Sequence, residues 1–242
     1  MSGARPTRAG IIAAGRGDRL RGGSSLLKPL VRVGGRTLIE RVLEAMGEAA
    51  VSEVAIIINE FSLAVRADVS ATAWPFPVQW IVETTPSSMH SFLRVVERLA
   101  EDGDAGPFLV STVDTIAPRG AYAAFAAEAA RHPEAAVALA IAPAPDDEKP
   151  LLVSVDGFTV DAIGDAAAPT AYATAGYYAV RSSILQEADA ARRDGLGALR
   201  TFLARLLDRG YPMVGIPVPP SIDVDRPPDI HAAERFLKRV SP

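Results

Sequence analysis

Three short runs dominated by apolar residues set the limits on what this chain can fold into: Ile11-Ile12-Ala13-Ala14, Val54 to Ile58 and Val78 to Val82. The second is continuous and largely β-branched, as expected for a strand covered on both faces of a parallel sheet. Between the first two, Thr37-x-x-Glu40 reads as a capping box. Leu38, Ile39, Val42, Leu43 and Met46 then recur on one face, predicting an amphipathic helix that stops near Gly47. A weaker helix is expected over Phe61 to Val69. The β-α-β-α-β rhythm predicts a doubly wound α/β fold, whose ligands lie beyond the carboxyl ends of the strands.

The first run opens into Gly10 to Leu30, GIIAAGRGDRLRGGSSLLKPL. Gly15 and Gly17 release the chain into a loop, and Arg16, Arg19, Arg21 and Lys28 follow. Glycines let backbone N–H groups approach phosphate oxygens, and Arg and Lys add charge-assisted bonds, so the loop suits a polyphosphate. It is not a dinucleotide fingerprint, because Leu20 stands at the third glycine position. Nor is it a P-loop: Gly17 and Gly22 have the spacing, but Gly23 stands where the lysine is required. An ordinary strand–turn–strand connection is the reading that the glycines alone leave open.

The run A-A-G-R-G-D-R-L, followed by K-P-L-V-R-V-G-G-R-T-L-I-E, resembles the N-terminal signature of sugar-1-phosphate nucleotidyltransferases over Ile11 to Glu40. Asp18 stands where that family has Ser or Thr, and Leu27 replaces the proline before Lys28. The resemblance implies an α/β fold: a single Rossmann-like, glycosyltransferase-A-like domain over residues 1–242, with a mixed, mainly parallel sheet and helices on both faces. It implies nucleotide contacts from Ala13, Ala14, Gly15, Arg16, Gly17 and Asp18, and catalytic roles for Arg19 and Lys28. As a loop lysine, Lys28 is expected outside the core. Cytidylyl- and guanylyltransferases acting on other phosphorylated compounds share much of the signature.

Glu83 to His90 lies just past the third strand, where that fold binds ligand; the resemblance makes Glu83, Ser87 and Ser88 nucleotide contacts. Plain N-capping by Ser87 or Ser88 is the alternative. Met89, Phe92, Leu93, Val96 and Leu99 form the apolar face of the next helix. A strand begins at Phe108-Leu109-Val110, and Asp114 follows. An acidic residue at a strand's carboxyl end can hold a hard cation against phosphates, and Asp114 resembles the family's first magnesium ligand. A turn aspartate ahead of an alanine-rich helix over residues 119–131 is the other reading.

A strand is expected over Ala135 to Ile141 and a hairpin over Leu151 to Ile163, turning at Asp156-Gly157. Lys149, in a charged run before it, is a candidate phosphate contact or a solvated side chain. Ala173 to Val180 resembles the strand lining the acceptor pocket, with Thr174 and Gly176 as substrate-binding candidates. Helices over Ser182 to Arg192 and Leu196 to Leu207 and a strand over Met213 to Pro217 complete the sheet.

Ser221 to Ile230 then resembles the segment that supplies the family's second metal ligand, here Asp223. Asp225 is expected to bond backbone N–H groups in the turn before Pro227, and Asp229 to complement the closing helix.

At 242 residues the chain is long enough for one large α/β core. Its net charge of −4, with cations spread along it, argues against a nucleic-acid or membrane-surface partner. Zero cysteines exclude disulfides and thiolate metal sites, and with no signal peptide or span recognised a cytoplasmic location is expected. His90, His132 and His231 share no metal-ligand spacing. The reaction implied is magnesium-dependent transfer of a nucleotidyl group from a nucleoside triphosphate to a sugar 1-phosphate, releasing pyrophosphate. A non-sugar phosphorylated acceptor, of phosphocholine or molybdenum-cofactor type, and a catalytically silent nucleotide-sensing homologue are the alternatives.

Overall fold

In the computed structural model, which describes residues 8–15, 17, 20, 27–144 and 150–240, the three apolar runs become adjacent parallel strands. These are β1 (Arg8–Ile12), β4 (Glu53–Ile58) and β5 (Val78–Val82). Between β1 and β4 the chain makes a small hairpin of β2 (Arg32–Val33) and β3 (Arg36–Thr37), turning at Gly34 and Gly35, both with positive φ. Two-residue strands carry no periodic signal, and the sequence reading did not include them. Helix α1 (Leu38–Glu48) starts at the expected capping box: Thr37 Oγ1 accepts from Glu40 N, and Glu40 Oε2 accepts from Thr37 N at 2.7 Å. Its five apolar positions are all buried.

Helix α2 (Leu63–Ser70) starts two residues later than its pattern predicts, because the turn at Asn59 to Ser62 leaves Phe61 outside, 77% exposed. Helix α3 (Ser88–Ala100) leads to β6 (Phe108–Thr112). A two-residue strand β7 (Thr115–Ile116), α4 (Ala121–Ala129) and β8 (Val137–Pro143) follow. The expected hairpin is β9 (Leu152–Asp156) and β10 (Thr159–Ile163), and it leads to the long β11 (Tyr172–Val180). Ser182–Glu187 is a tight 3-10 stretch rather than the start of an α-helix, and α5 covers only Ala188–Arg193. Then come α6 (Leu199–Asp208), β12 (Met213–Pro217), the short β13 (Ile222–Asp223) and α7 (Pro227–Val240).

Nine strands form one sheet in the order β5-β4-β1-β6-β11-β8-β12-β10-β9. It is mixed, with β10 and β11 opposing the other seven strands. Helices pack on both faces. Ile11, Ile56 and Ile58 meet α1, α2 and α4 on one side, and Ala55, Ile57, Phe108 and Val110 meet α3 and α6 on the other. A third cluster, built from Val31, Val33, Leu38, Ile116, Val224, Ala233 and Phe236, joins the hairpin to α7. The β13–β7 pair forms a separate antiparallel ladder, Ile222 opposite Ile116 and Asp223 opposite Thr115. No helix among the described residues is long and apolar enough to cross a membrane.

Strand β1 lies close under α3 because residue 10 lacks a side chain: a Cβ there would fall 2.1 Å from Val95 Cγ1 and 3.3 Å from Leu99 Cδ1. Valine in a helix has little rotamer freedom, so the crowding has no easy escape. Gly10→Ala is expected to lower stability by about 1–3 kcal/mol, read from its urea midpoint. Val95→Ala should cost less in that background than alone, the mark of two residues in direct contact.

Candidate functional site

The carboxyl ends of β1, β4, β5 and β6 define one rim of the sheet, and most of the sequence candidates sit along it. Ala13 continues β1, donating to Ile57 O at 2.9 Å, and is buried; Ala14 is half-buried and Gly15 exposed. The loop is anchored by Asn59, the residue after β4. Asn59 is buried; its Nδ2 donates to Ala14 O at 3.2 Å, while its Oδ1 accepts from Phe61 N and Ser62 Oγ. Gly17 has φ +64°, and a Cβ there would lie 2.7 Å from Lys28 Cβ, so the loop folds back onto the lysine. Arg16, Asp18, Arg19 and Lys149 lie outside the described residues.

Lys28 opens the short 3-10 turn Lys28–Leu30, and its side chain is only 11% exposed, contrary to the expectation for a loop lysine. Its Nζ donates to Asp114 Oδ2 at 2.6 Å and to Asp225 Oδ1 at 2.5 Å. Asp114 follows β6, and its carbonyl accepts from Val224 N at 3.1 Å. That bond, with the β7–β13 ladder, brings the C-terminal segment to the end of β6. Asp223 lies opposite Thr115, and its Oδ1 accepts from Thr115 Oγ1 at 2.7 Å.

The turn before α7 departs from expectation. Asp229, not Asp225, accepts the N–H groups of residues 225 and 226, at 2.9 and 2.7 Å. Residue 229 is in the first turn of α7, so its carboxylate reaches back over the turn; Asp225 is left to face Lys28. Asp223 and Asp225 lie two residues apart, and what separates them is their partners.

Among the described residues three carboxylates and one ammonium thus share the site, and the imbalance shows in their protonation. Burial alone would lower the Lys28 pKa, but Asp114 and Asp225 outweigh it and hold it above its ordinary value. Burial works against the Asp114 carboxylate too, yet Lys28, with a hydrogen bond from Thr112, keeps its pKa below the usual range. Asp223 goes the other way. Its side chain opens to the cleft, but surrounding protein and the Asp114 and Asp225 charges push its pKa up to about 7, against the hydrogen bond from Thr115. An excess of carboxylate over ammonium suits a divalent cation. Among the described residues no three His, Asp or Glu side chains converge on one metal position. Two carboxylates completed by phosphate oxygens and water are the arrangement in which magnesium is commonly held.

The remaining described candidates stand at the end of β5, at the start of α3 and on β11. Glu83 continues β5, donating to Ile58 O, and pairs with Arg94 at 2.8 Å. Ser87 caps α3 and bonds His90 Nδ1 at 2.8 Å. Ser88 Oγ accepts from Leu199 N at 3.0 Å, tying α3 to α6. Thr174 bonds the Tyr178 hydroxyl within β11. At Gly176, φ is +81°, and the space a side chain would take is filled by Thr115 Oγ1, 2.0 Å from an ideal Cβ. A cavity of about 880 Å³ behind β7 touches Thr115 and Ile116 but none of Lys28, Asp114 and Asp223.

A family model described as MobA-like NTP transferase domain matches residues 9–209. The bifunctional protein GlmU of Gloeobacter violaceus is 32% identical over 128 residues, 49% of this chain and 26% of that protein. The chain therefore spans about a quarter of that curated relative's length. Solved structures share the fold. The inositol-1-phosphate CTP transferase from T. maritima superposes with TM-score 0.79 at 18% identity, covering 99% of this chain and 100% of its own. A UDP-glucose pyrophosphorylase complexed with UDP-glucose superposes with TM-score 0.77 at 13% identity, covering 97% and 99%.

The raised Asp223 pKa has a measurable consequence in metal-free protein. An aspartate in an unfolded chain titrates at about 3.9, whereas this one holds its proton to about 7. Between those values the folded chain binds a proton that the unfolded chain does not, so this group's contribution to stability declines as pH rises and levels off above the window. Without metal, Asp223→Asn is expected to melt above the parent at about pH 8, with the gap closing as pH falls toward about 4. Magnesium should narrow the gap at the higher pH by stabilising the parent alone.

Proposed function

The chain belongs to the MobA-like NTP transferase domain family, and from that premise we propose that it transfers the nucleotidyl group of a nucleoside triphosphate to a sugar 1-phosphate. The observation that carries this reading is Lys28, held between Asp114 and Asp225 beside Asp223, at the carboxyl end of parallel strands and against the glycine-bearing loop. The proposal takes residues 1–242 as one nucleotidyltransferase unit.

An acceptor phosphate oxygen attacks the α-phosphorus, the bond to the bridging oxygen of the β-phosphate breaks, and pyrophosphate leaves with that electron pair. A phosphomonoester is already an anion at neutral pH, so no general base is needed. What the protein supplies is position and charge. Asp114 and Asp223 would hold a magnesium ion, which when bound neutralises charge between phosphate oxygens. Lys28, oriented by Asp225, sets a fixed positive charge beside Asp114 where charge builds around the α-phosphoryl group. Loop amides from Ala13 to Gly17 and the side chains of Arg16 and Arg19 receive the triphosphate. Asp18 stands at the family's Ser or Thr position in that loop. Glu83, Ser87 and Ser88 form the nucleobase side, while Thr174, Gly176 and Lys149 form the acceptor side.

A non-sugar acceptor is the second reading, favoured by the fold shared with a transferase named for inositol 1-phosphate. Pyrophosphate release, measured across nucleoside triphosphates and phosphorylated acceptors with and without magnesium, tests both. Turnover is expected only with acceptor and metal together, and the acceptor that supports it decides between them. Nucleotide binding with no turnover on any acceptor would replace both with a nucleotide-sensing role.

Lys28→Met should lower kcat by about a hundredfold or more, as for loss of one preorganised charge. Because Lys28 is largely buried, its removal leaves Asp114 without its cation, so a lower melting temperature is also expected. A kcat within a few-fold of the parent in folded variant would remove Lys28 from the mechanism.

A further inference from the structure

Behind Asp223 stands a pair of threonine hydroxyls that the proposed reaction does not itself use. Thr115 is 2% exposed, and its Oγ1 donates to Asp223 Oδ1 at 2.7 Å. Thr112 Oγ1 lies 3.2 Å from Thr115 Oγ1 and 3.4 Å from Gly176 O. Asp223 is thus backed by Thr115, and the two threonines touch.

Gly176 makes the arrangement possible. The register of β11 against β8 slips between Thr174 and Tyr178, and within that slip Gly176 takes φ +81°. A Cβ there would sit 2.0 Å from Thr115 Oγ1, 3.1 Å from Thr112 Oγ1 and 3.1 Å from Thr115 Cβ. No rotation of a flexible chain end relieves this, because Thr115 is β-branched and its hydroxyl is committed to Asp223. Any side chain at 176 must push Thr115 away from the carboxylate.

We infer that Thr115 is a positioning residue for the divalent cation of Asp223, and that Gly176 serves the site by leaving room for the Thr115 hydroxyl. The inference rests on the proposed reading of Asp223 as a metal ligand. A hydroxyl bond to Oδ1 fixes the carboxylate's rotation and leaves its second oxygen as the one a cation can take without displacing Thr115. Outer partners of this kind commonly change metal affinity by about ten- to a hundredfold.

The test is Mn²⁺ alone, titrated into nucleotide-free protein and followed by the paramagnetic resonance signal of the free ion. Thr115→Val keeps the shape and removes the hydroxyl, and it should weaken Mn²⁺ binding by about tenfold or more. Thr115→Ser should bind close to the parent. Gly176→Ala should be as weak as Thr115→Val, and the double variant no weaker than either, because both changes remove one interaction. Melting curves without metal identify any variant that is not folded, and the Val and Ser pair at 115 carries the test if Gly176→Ala is among them. Equal binding by Thr115→Val and the parent, or loss in Thr115→Ser equal to that in Thr115→Val, overturns the inference. If Asp223→Ala loses Mn²⁺ while Thr115→Val does not, only this inference fails. If Asp223→Ala binds as the parent does, or the parent binds none, the metal reading falls and this inference with it.

Discussion

The site depends on a two-residue ladder. The pairing of Ile222 and Asp223 with Ile116 and Thr115 brings the C-terminal segment to the end of β6. Its strength comes less from its own hydrogen bonds than from what flanks it. Val224 N bonds the Asp114 carbonyl, and Val224 is buried with Ile116, Phe236 and Val33. An apolar cluster on one side of the ladder therefore fixes a charged cluster on the other.

That charged cluster is not arranged for stability. A lysine largely removed from water gains two carboxylate partners, yet a third carboxylate beside them is driven toward protonation at neutral pH. Crowding like charges together is unfavourable, and such conflicts between local preference and global fold tend to mark working sites. Elsewhere the chain is locally consistent: both faces of the sheet are covered, the capping box closes, and Gly10 admits Val95. Asn59 shows the same economy, where one buried amide follows β4 and holds the start of the glycine loop.

Much of this was legible in the residues. The β4 and β5 runs, the helix with Thr37 as its cap, the Asp156-Gly157 hairpin and the Lys28 and Asp114 candidates are read from local pattern or from a signature, and the structure brings those two candidates together. What was not legible depends on residues far apart in the chain. Strands β7 and β13 are too short to show alternation. Asp225 and Asp229 are both suited to a turn, and only the direction of α7 decides which reaches the backbone. Gly176 was a substrate-binding candidate, and its sequence context could not say that a threonine from β7 packs against it. Phe61 looked like the start of a helix, and the hydrogen bonds of Asn59 keep it in the turn.

The separations across the ladder bear on how the protein is made. Thr115 and Asp223 are 108 residues apart and Lys28 and Asp225 are 197 apart, so these contacts are among the most distant in the chain. Contacts of such range form late in folding, after closer pairings have shortened the path between them. During synthesis from the N-terminus, a growing chain carries the glycine loop, Lys28 and Asp114 long before Asp223 emerges. A half-made protein thus carries the glycine loop, Lys28 and Asp114 without Asp223, and the cluster of charges is completed only when the segment before the closing helix arrives.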